Sequence, residues 1–331
     1  MEPVSLMLAT GAAVAAGLTF GLRLDRKRRR RQEEAWRRAA ELLGGHFAPR
    51  GKSFWRASPA TVAAQVEHGI DVLVDHYTVS TGKSSVTFTR LQAAAPGAGE
   101  LGLTLREEGT MVAIGKALGL DDIDTGDADF DARFLFRSSD AALARAWLSP
   151  PARAALVAMP AGYTAALKRG RVTAQTRGLE MDAEGLVQAV RAVGALAGGG
   201  RELLSRWRAL AGALGGKLTI GGDVFVPGEL SVSCEQEGRL ASIETAPPGT
   251  RVRVELGRRD APTFSVAPGQ ALPAMGRAGT EAWDAVQPAT LACDGESVAV
   301  SWEGYLPDEA RTRAALVLAT AAATGGDAPY R

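Results

Sequence analysis

The stretch VTAQTRGLEMD, residues 172–182, decides the fold of this chain. Val172 and Ala174 alternate with polar residues, which predicts a β-strand. The segment that follows, residues 183–197, has apolar residues at helical spacing and stops at a run of three glycines, so it predicts a helix. A strand that leads into a long helix is typical of the closing pair of an α+β unit.

The same closing pair recurs near the end of the chain. The stretch VAVSWEGYLPD, residues 298–308, also predicts a strand, and the helix after it ends at a second glycine run. Gly304 follows Gly178, and Asp308 follows Asp182, by the same 126 positions. This constant spacing predicts two related halves that arose by tandem duplication.

Period-two alternation marks the remaining strands. From Ile70 onward apolar and polar residues alternate, and Thr81-Gly82-Lys83 predicts the turn of an antiparallel hairpin. Further strands are predicted over residues 101–105, 134–136, 218–220, 224–226, 230–234, 240–244 and 252–256, and further helices over residues 32–43, 140–148, 151–157 and 201–214. The predicted fold class is therefore α+β, with antiparallel sheets and packed helices.

An uncharged segment, residues 3–22, opens the chain and precedes a basic block. At about 1.5 Å per residue such a segment forms a helix about 30 Å long, enough to cross the hydrocarbon core of a bilayer. We therefore expect residues 1–22 to be a transmembrane helix. A cleaved signal peptide and a buried apolar helix are the alternatives, but a signal peptide carries its positive charge before the apolar segment.

The basic block after this segment predicts the orientation of the chain. Because Lys and Arg beside a span stay on the cytoplasmic side, residues 23–331 are expected to be cytoplasmic. The block should also attract anionic lipid. Its membrane-surface residues are Arg23, Arg26, Lys27, Arg28, Arg29, Arg30 and Arg31. Within the span, Ala13, Gly17 and Gly21 recur at every fourth position, a spacing that allows two copies to pair as a homodimer.

Glycine runs and the change in composition predict four segments. Residues 1–22 are the anchor, and residues 23–45 are a basic juxtamembrane segment and helical stalk with Trp36 on its apolar face. Residues 46–200 form a first α+β domain, and residues 201–331 form a second.

The charge balance argues against nucleic acid as a partner. The chain has 38 Lys and Arg against 37 Asp and Glu, so the remainder is acidic once the basic block is set aside. The two cysteines, Cys234 and Cys293, have no neighbours at metal-ligand spacing. We expect two buried thiols in a reducing compartment; in an exported domain they could form a disulfide instead.

Two short motifs resemble known sites and are better explained by structure. Residues 80–84, STGKS, resemble the end of a phosphate-binding P-loop, but Tyr77 stands where that motif needs glycine, so a hairpin turn is favoured. Six aspartates could offer oxygen ligands to Ca²⁺ or Mg²⁺, but they lack the glycine and glutamate of an EF-hand loop; helix capping is favoured. They are Asp121, Asp122, Asp124, Asp127, Asp129 and Asp131.

No pattern in the sequence predicts catalytic, cofactor-binding or metal-binding residues, so an enzyme is the less favoured class. His68 and His76 could pair with Asp71 or Asp75 as acid and base. Strand alternation, however, places both aspartates on one face and His76 on the other. A structural, partly exposed histidine is therefore the favoured interpretation.

Two segments carry a resemblance to a known kind of protein. The stretches TGDADFDARF, residues 125–134, and ARAWLSPPARAAL, residues 144–156, resemble a pattern in bacterial domains of unknown function that follow an amino-terminal membrane helix and a basic block. The resemblance covers about residues 23–200. It implies a bacterial, membrane-tethered protein, and it brings no activity or site residues with it.

These observations together predict a single-pass protein of the bacterial inner membrane that acts by binding a protein partner. The alternative is a small-ligand sensor or an enzyme with its site between the two halves, where domain interfaces commonly form pockets. A pocket lined by several of Asp71, His76, Asp121 and Glu180 would favour the alternative, whereas a flat apolar patch would favour partner binding.

Overall fold

The computed structural model describes residues 27–52, 57–82, 84–107, 123–222, 224–247, 249–257, 261–272 and 275–325. These residues form an α+β protein with two large antiparallel sheets, a two-stranded ribbon and eight α-helices. The α+β class is thus confirmed. The predicted span, residues 1–22, lies outside the described residues, and among the described residues no helix has both the length and the apolar character needed to cross a bilayer.

The helices alternate with runs of strands along the chain. The first helix, α1, covers residues 27–42 of the described chain. The others are α2 (Ala128–Arg133), α3 (Ala141–Trp147), α4 (Pro150–Ala158), α5 (Ala183–Ala197), α6 (Gly199–Ala213), α7 (Gly276–Val286) and α8 (Glu309–Gly325). Helix α5 begins and ends where the sequence predicts it.

The strands of the first part of the chain are β1 (His46–Ala48), β2 (Gly51–Lys52), β3 (Ala57–Ser58), β4 (Thr61–Val66), β5 (Ile70–Ser80), β6 (Ser85–Ala94), β7 (Leu103–Glu107), β8 (Phe134–Ser138), β9 (Thr164–Lys168) and β10 (Arg171–Arg177). Those of the second part are β11 (Lys217–Ile220), β12 (Leu230–Gln236), β13 (Arg239–Ala246), β14 (Gly249–Glu255), β15 (Phe264–Val266), β16 (Thr290–Cys293) and β17 (Ser297–Glu303).

The two large sheets have the same strand order. The eight-stranded sheet runs β1-β4-β5-β6-β10-β9-β7-β8, and the seven-stranded sheet runs β11-β12-β13-β14-β17-β16-β15. Place for place, the second sheet repeats the first, and β8 is an additional edge strand. In each sheet the strand that comes last along the chain, β10 or β17, is followed by a long helix, α5 or α8.

A buried threonine fixes the turn before each of these helices. Thr89 donates its hydroxyl hydrogen to the backbone oxygen of Gly178 at 2.9 Å, and Thr250 donates to the backbone oxygen of Gly304 at 2.8 Å. Both glycines have φ near +100°, at 98° and 105°, where a side chain would be strained. The Gly-x-x-x-Asp pattern in the sequence therefore marks one repeated turn.

A buried tryptophan joins α1 to the first of these turns, and another joins α6 to the second. The indole nitrogen of Trp36, in α1, donates to the backbone oxygen of Glu180 at 3.0 Å. That of Trp207, in α6, donates to the backbone oxygen of Tyr305 at 3.1 Å. Both indole rings are fully buried. Helix α1, which the sequence predicts as a stalk, therefore packs Trp36 into a buried position against this turn.

The chain divides into two compact units. Unit 1 comprises residues 1–93, 158–165 and 173–194, and unit 2 comprises residues 94–157, 166–172 and 195–331. In unit 1, α5 lies so close to the sheet that a side chain at Gly194 would collide with Val66. In unit 2, Trp147 and Trp207 are both fully buried.

One predicted strand is wrong. The segment Val224–Val226 is irregular, although Phe225 within it is fully buried. Its backbone lies against Gly97, where an added Cβ would collide with the backbone oxygen of Phe225. The apolar residues therefore reflect burial of a loop and not pairing in a sheet.

Candidate functional site

A small polar pocket lies in unit 1, on the side of the eight-stranded sheet that α1 covers. We call it the His76 pocket; its volume is about 240 Å³. It is lined by Arg29, Gln32, Glu33, Arg50, Ala60, His76, Thr78, Thr87 and Leu179. Most of these side chains are hydrogen-bond donors, and Glu33 is the one carboxylate among the described residues that line it.

Local structure brings this lining together from distant parts of the sequence. Helix α1 contributes Arg29 and Gln32 from one face, because residues three apart are neighbours on a helix. Arg50 follows β1, and His76 lies on β5, directly opposite Thr89 of β6. The edge of the Trp36 ring faces the His76 ring, with centroids 6.0 Å apart, and fixes one side of the imidazole.

The surroundings of the His76 imidazole lower its pKa. Partial burial lowers its pKa below the ordinary value of 6.5, the positive charges of Arg50 and Arg29 lower it further, and Asp75 opposes them. Its Nδ1 lies 3.4 Å from the amide nitrogen of Gln32. This contact joins α1 to the sheet.

The opposite face of the same sheet carries aromatic and aliphatic side chains. The rings of Tyr77 and Phe88 stack with centroids 5.4 Å apart, and the Arg90 guanidinium lies 5.1 Å from the Tyr77 centroid. Arg90 also binds Asp75 through both carboxylate oxygens, at 2.6 and 2.9 Å. The Tyr77 hydroxyl donates to Gln175 at 2.7 Å, which locks the ring in place.

Aliphatic side chains extend this surface into solvent. Leu73 is 41% exposed and Val79 is 44% exposed, and alternation along β5 places both on the face of Tyr77. Val86 is paired with Val79 across the hairpin. We define the aromatic sheet face as Leu73, Tyr77, Val79, Val86 and Phe88.

The seven-stranded sheet has polar residues in the corresponding place. On β13 and β14 the facing pairs are Ser242 with Arg253 and Glu244 with Arg251. Leu240 is an exposed apolar residue on the same face, at 54% exposure. The two sheets share a strand order but differ in the chemistry of this face.

A larger pocket, of about 480 Å³, lies within unit 2. Its lining combines residues from both sides of position 200, among them Arg145, Arg153, Arg206 and Tyr305. Two of its arginines are already neutralised: Arg153 binds Asp127 at 2.9 Å, and Arg206 binds Glu202 at 3.0 Å. The pocket has the size of a small-organic-ligand site without a strong net charge.

Of the four residues proposed to line a shared pocket, the three that the structure describes do not line one pocket. Asp71 accepts a hydrogen bond from Gln65 on the exposed face of the sheet. The carboxylate of Glu180 accepts hydrogen bonds from the backbone nitrogens of Met181 and Asp182, while His76 lines its own pocket. Asp121 lies outside the described residues.

The described aspartates of the acidic patch cap and fasten local structure, as predicted. Asp127 accepts from the backbone nitrogen of Phe130 at the start of α2, and its bond to Arg153 holds its pKa below the ordinary value. Asp131 accepts from the hydroxyl of Thr125 at 2.8 Å. Within the described chain no group of three or more His, Cys, Asp or Glu side chains is arranged to hold a metal ion.

The other motifs singled out by the sequence have structural explanations. Residues 80–84 close the β5–β6 hairpin, where Thr81 donates its backbone hydrogen to Ser84 at 2.8 Å, which confirms the turn. Cys234 and Cys293 are buried free thiols, as predicted. In the basic block, residues 27–31 form the first described turns of α1, whereas Arg23 and Arg26 lie outside the described residues.

The sequence missed both the His76 pocket and the aromatic sheet face. Gln32 and His76 are 44 positions apart, and only the sheet brings them within contact. The signal for the aromatic face was present in β5, since Leu73, Tyr77 and Val79 recur at period two opposite the buried residues.

No protein-family model and no curated protein matches this chain. Among solved structures, the crystal structure of the mycobacterial trehalose monomycolate transport factor A, TtfA, matches with a TM-score of 0.33 and 12% sequence identity. The match covers 51% of this chain and 93% of that chain. At this identity and TM-score the likeness assigns neither a fold family nor a function.

Proposed function

We propose that this chain is a membrane-tethered, non-catalytic interaction protein of the bacterial inner membrane, which binds a protein partner through the aromatic sheet face. The observation that carries the proposal is the cluster of Leu73, Val79 and the Tyr77–Phe88 stack on an exposed sheet surface. Exposed apolar clusters of this kind mark interaction sites, and Tyr and Arg are enriched where binding energy concentrates.

The comparison between the sheets supports a specific role for this face. A sheet face that is exposed to solvent and has no partner would be expected to be polar, like that of β13 and β14. There the solvent contacts Ser242, Glu244, Arg251 and Arg253. On β5 and β6 the equivalent surface carries the Tyr77–Phe88 stack and exposed aliphatic side chains beside the Asp75–Arg90 ion pair, and exposed apolar side chains cost solubility unless something covers them. Tyr77 is also fixed by its hydroxyl bond and by Arg90, so a partner would meet a rigid surface.

The tether is proposed from the sequence. Residues 1–22 would span the membrane, and the basic block, residues 23–31, would hold the start of α1 at anionic lipid with about 1 kcal/mol per basic side chain. The body would then be cytoplasmic. A phosphatase reporter fused after Arg331 should be inactive and a fluorescent reporter bright; the reverse pattern would overturn the orientation.

We also propose that the two parts of the body arose by tandem duplication. The repeated strand order and the repeated threonine and tryptophan contacts support it. A second sequence repeat agrees: WRRAAELLGG, residues 36–45, and WRALAGALGG, residues 207–216, lie 171 positions apart and end α1 and α6 alike. In this proposal the two sheet faces have since diverged, one for binding and one for solvent.

Introducing negative charge at the exposed aliphatic residues tests partner binding. The variant Leu73→Glu with Val79→Glu keeps the buried core, since both side chains already contact water. Leu240→Glu, on the polar sheet, is the matched control. Affinity capture of the full-length chain, cross-linked in its host membrane, should lose a stoichiometric associate in the double variant and keep it in the control. Capture of the native chain alone, or equal capture in all three, would contradict the proposal.

The second candidate is a small-ligand sensor that uses the 480 Å³ pocket of unit 2. The observation in its favour is that Arg145, Ser149 and Tyr305 converge on a space of the size that organic ligands occupy. A thermal-shift screen of small carboxylates and phosphates, repeated with Arg145→Ala, would detect such a ligand. A hit that the variant abolishes would support the sensor, and an unchanged melting temperature throughout would exclude those ligand classes.

A further inference from the structure

The His76 pocket is lined by groups that can bind an anion. Two guanidinium groups, Arg29 and Arg50, approach it from different elements, α1 and the segment after β1. Guanidinium groups bind phosphate oxygens with paired, charge-assisted hydrogen bonds. Opposed to them among the described lining residues is a single carboxylate, that of Glu33.

Neutral donors complete the lining. Gln32 is 3% exposed and presents its amide beside the His76 ring. The hydroxyl oxygens of Thr78 and Thr87 lie 3.0 Å apart across the hairpin. One of these two hydroxyls donates to the other, and the second retains a hydrogen to donate elsewhere. The pocket thus combines fixed charge with a ring of uncharged donors, which is the arrangement that binds tetrahedral oxyanions.

We propose that the His76 pocket binds a phosphate group, supplied either by a phospholipid headgroup or by a small soluble phosphate. The size supports a single phosphate: about 240 Å³ is roughly eight water volumes, below the range of pockets for drug-sized ligands. The proposal is separate from partner binding, because the pocket and the aromatic sheet face lie on opposite faces of β5.

His76 would tune the affinity. The charged groups around it are Arg29 and Glu33 from α1 and Arg50 from the segment after β1, together with Asp75, the preceding residue of β5. Asp75 points to the other face, where Arg90 binds it. A bound dianion would favour the imidazolium form and so raise the pKa of His76. By linkage, the anion would bind more tightly as the pH falls.

The test uses the full-length chain in a non-ionic detergent, with sulfate as the first probe because it remains a dianion across the range in which histidine titrates. The proton NMR titration of His76 should move to higher pH in sulfate relative to chloride at equal ionic strength. Arg50→Ala should weaken sulfate binding about tenfold or more, and Arg50→Lys should restore part of it. Arg50 is exposed, so neither substitution disturbs the core.

Two control variants separate a site from general charge attraction. Arg38→Ala removes one exposed charge from the same helix and should leave sulfate affinity unchanged. His76→Gln should bind sulfate with no pH dependence between about pH 8 and about pH 6. Equal loss in Arg38→Ala and Arg50→Ala, or an imidazole that sulfate does not shift, would overturn the proposal.

A second pair of measurements identifies the source of the phosphate. Inorganic phosphate is titrated into the detergent-solubilised chain, and the same chain is placed in phosphatidylcholine nanodiscs with and without phosphatidylglycerol. A His76 shift that requires phosphatidylglycerol assigns the site to a lipid headgroup. A shift with inorganic phosphate that phosphatidylglycerol does not reproduce assigns it to a soluble phosphate. No shift with either would refute phosphate binding, whatever the outcome for the protein partner.

Discussion

The indole nitrogen of Trp147 donates to the backbone oxygen of Leu196 at 2.7 Å, which places the flat side of the ring against the start of α6. At Gly199 an added Cβ would lie 2.5 Å from the ring, and at Gly200 it would lie 2.6 Å from the backbone oxygen of Pro96. The glycine run that the sequence presents as a helix stop is therefore the first turn of a second helix, made of glycine because an indole occupies the space.

Replacing Gly199 by alanine should destabilise the protein. The new methyl group would displace Trp147, and overpacking of this kind costs about 1–3 kcal/mol in the free energy of unfolding. Gly212, in the same helix, has open space around its Cα and is the matched control. Gly212→Ala should be neutral or stabilising by up to about 1 kcal/mol. Urea denaturation measures both, and equal stability of the two variants would contradict the packing described here.

Thr89 should contribute more to the free energy of unfolding than Thr250. Thr89→Val removes the hydroxyl partner of two partly buried backbone groups, the oxygen of Gly178 and the nitrogen of Glu180. Thr250→Val removes the hydroxyl partner of one, the oxygen of Gly304. Each unsatisfied group costs about 1–3 kcal/mol, so Thr89→Val should lower the urea midpoint further. Thr219→Val, at an exposed strand position, should change it little. An equal or larger loss in Thr250→Val would contradict this prediction.

The stability of the protein should fall below about pH 6.5 in part because of His76. Its folded pKa is lowered by burial and by Arg50, so the unfolded chain takes up a proton that the folded chain resists. The loss therefore begins as the pH drops through the unfolded value of 6.5. His76→Gln should flatten the dependence of the urea midpoint on pH in this window. His46→Gln, at an exposed position, should retain the dependence of the native chain.

Tyr163 should resist ionisation until the protein unfolds. Burial raises its pKa far above the ordinary value of 10.0, and the carboxylate of Glu180 raises it further. Folding is therefore favoured by neutral Tyr163 below about pH 10 and loses that contribution as the pH rises. Tyrosinate absorbance should show a delayed, cooperative step that Tyr163→Phe reduces. Ionisation of all four tyrosines at the ordinary pH would contradict this burial.

The two thiols should be protected in the folded protein. Cys234 and Cys293 are both buried, and burial raises the pKa of Cys234, which lowers the fraction of reactive thiolate. A disulfide reagent such as DTNB should label neither residue in native buffer and both in denaturant. Rapid native labelling would contradict their burial, and failure to label in denaturant would indicate a disulfide.

Local patterns in the sequence predicted much of the secondary structure. The β5–β6 hairpin, the β10–α5 pair and the β17–α8 pair follow from alternation, helical spacing and turn residues that act over short distances. The sequence did not predict β4, β9, β16 or α7. The three strands are short and each contains alanine, whereas α7 has an apolar face that includes Ala282 and Trp283. These segments become strands and helix because neighbours pair and pack with them.

The candidate sites depend on contacts that no local pattern encodes. The His76 pocket needs α1, the segment after β1 and the sheet to meet, and its arginines are not distinguishable in sequence from other solvated arginines. The sequence matches have two spacings, 126 and 171 positions, so a search at one constant spacing finds only the first of them. The two sheets can be compared through their strand order, which does not depend on loop length.

The strands at the margins of both sheets are short. Strands β1 and β15 have three residues each, β11 has four and β8 has five. A short margin offers few unpaired backbone groups to a neighbouring chain, which protects a protein against edge-to-edge aggregation. Crowding many copies together should therefore not fuse their sheets into fibrils, and encounters between copies would be limited to side chains.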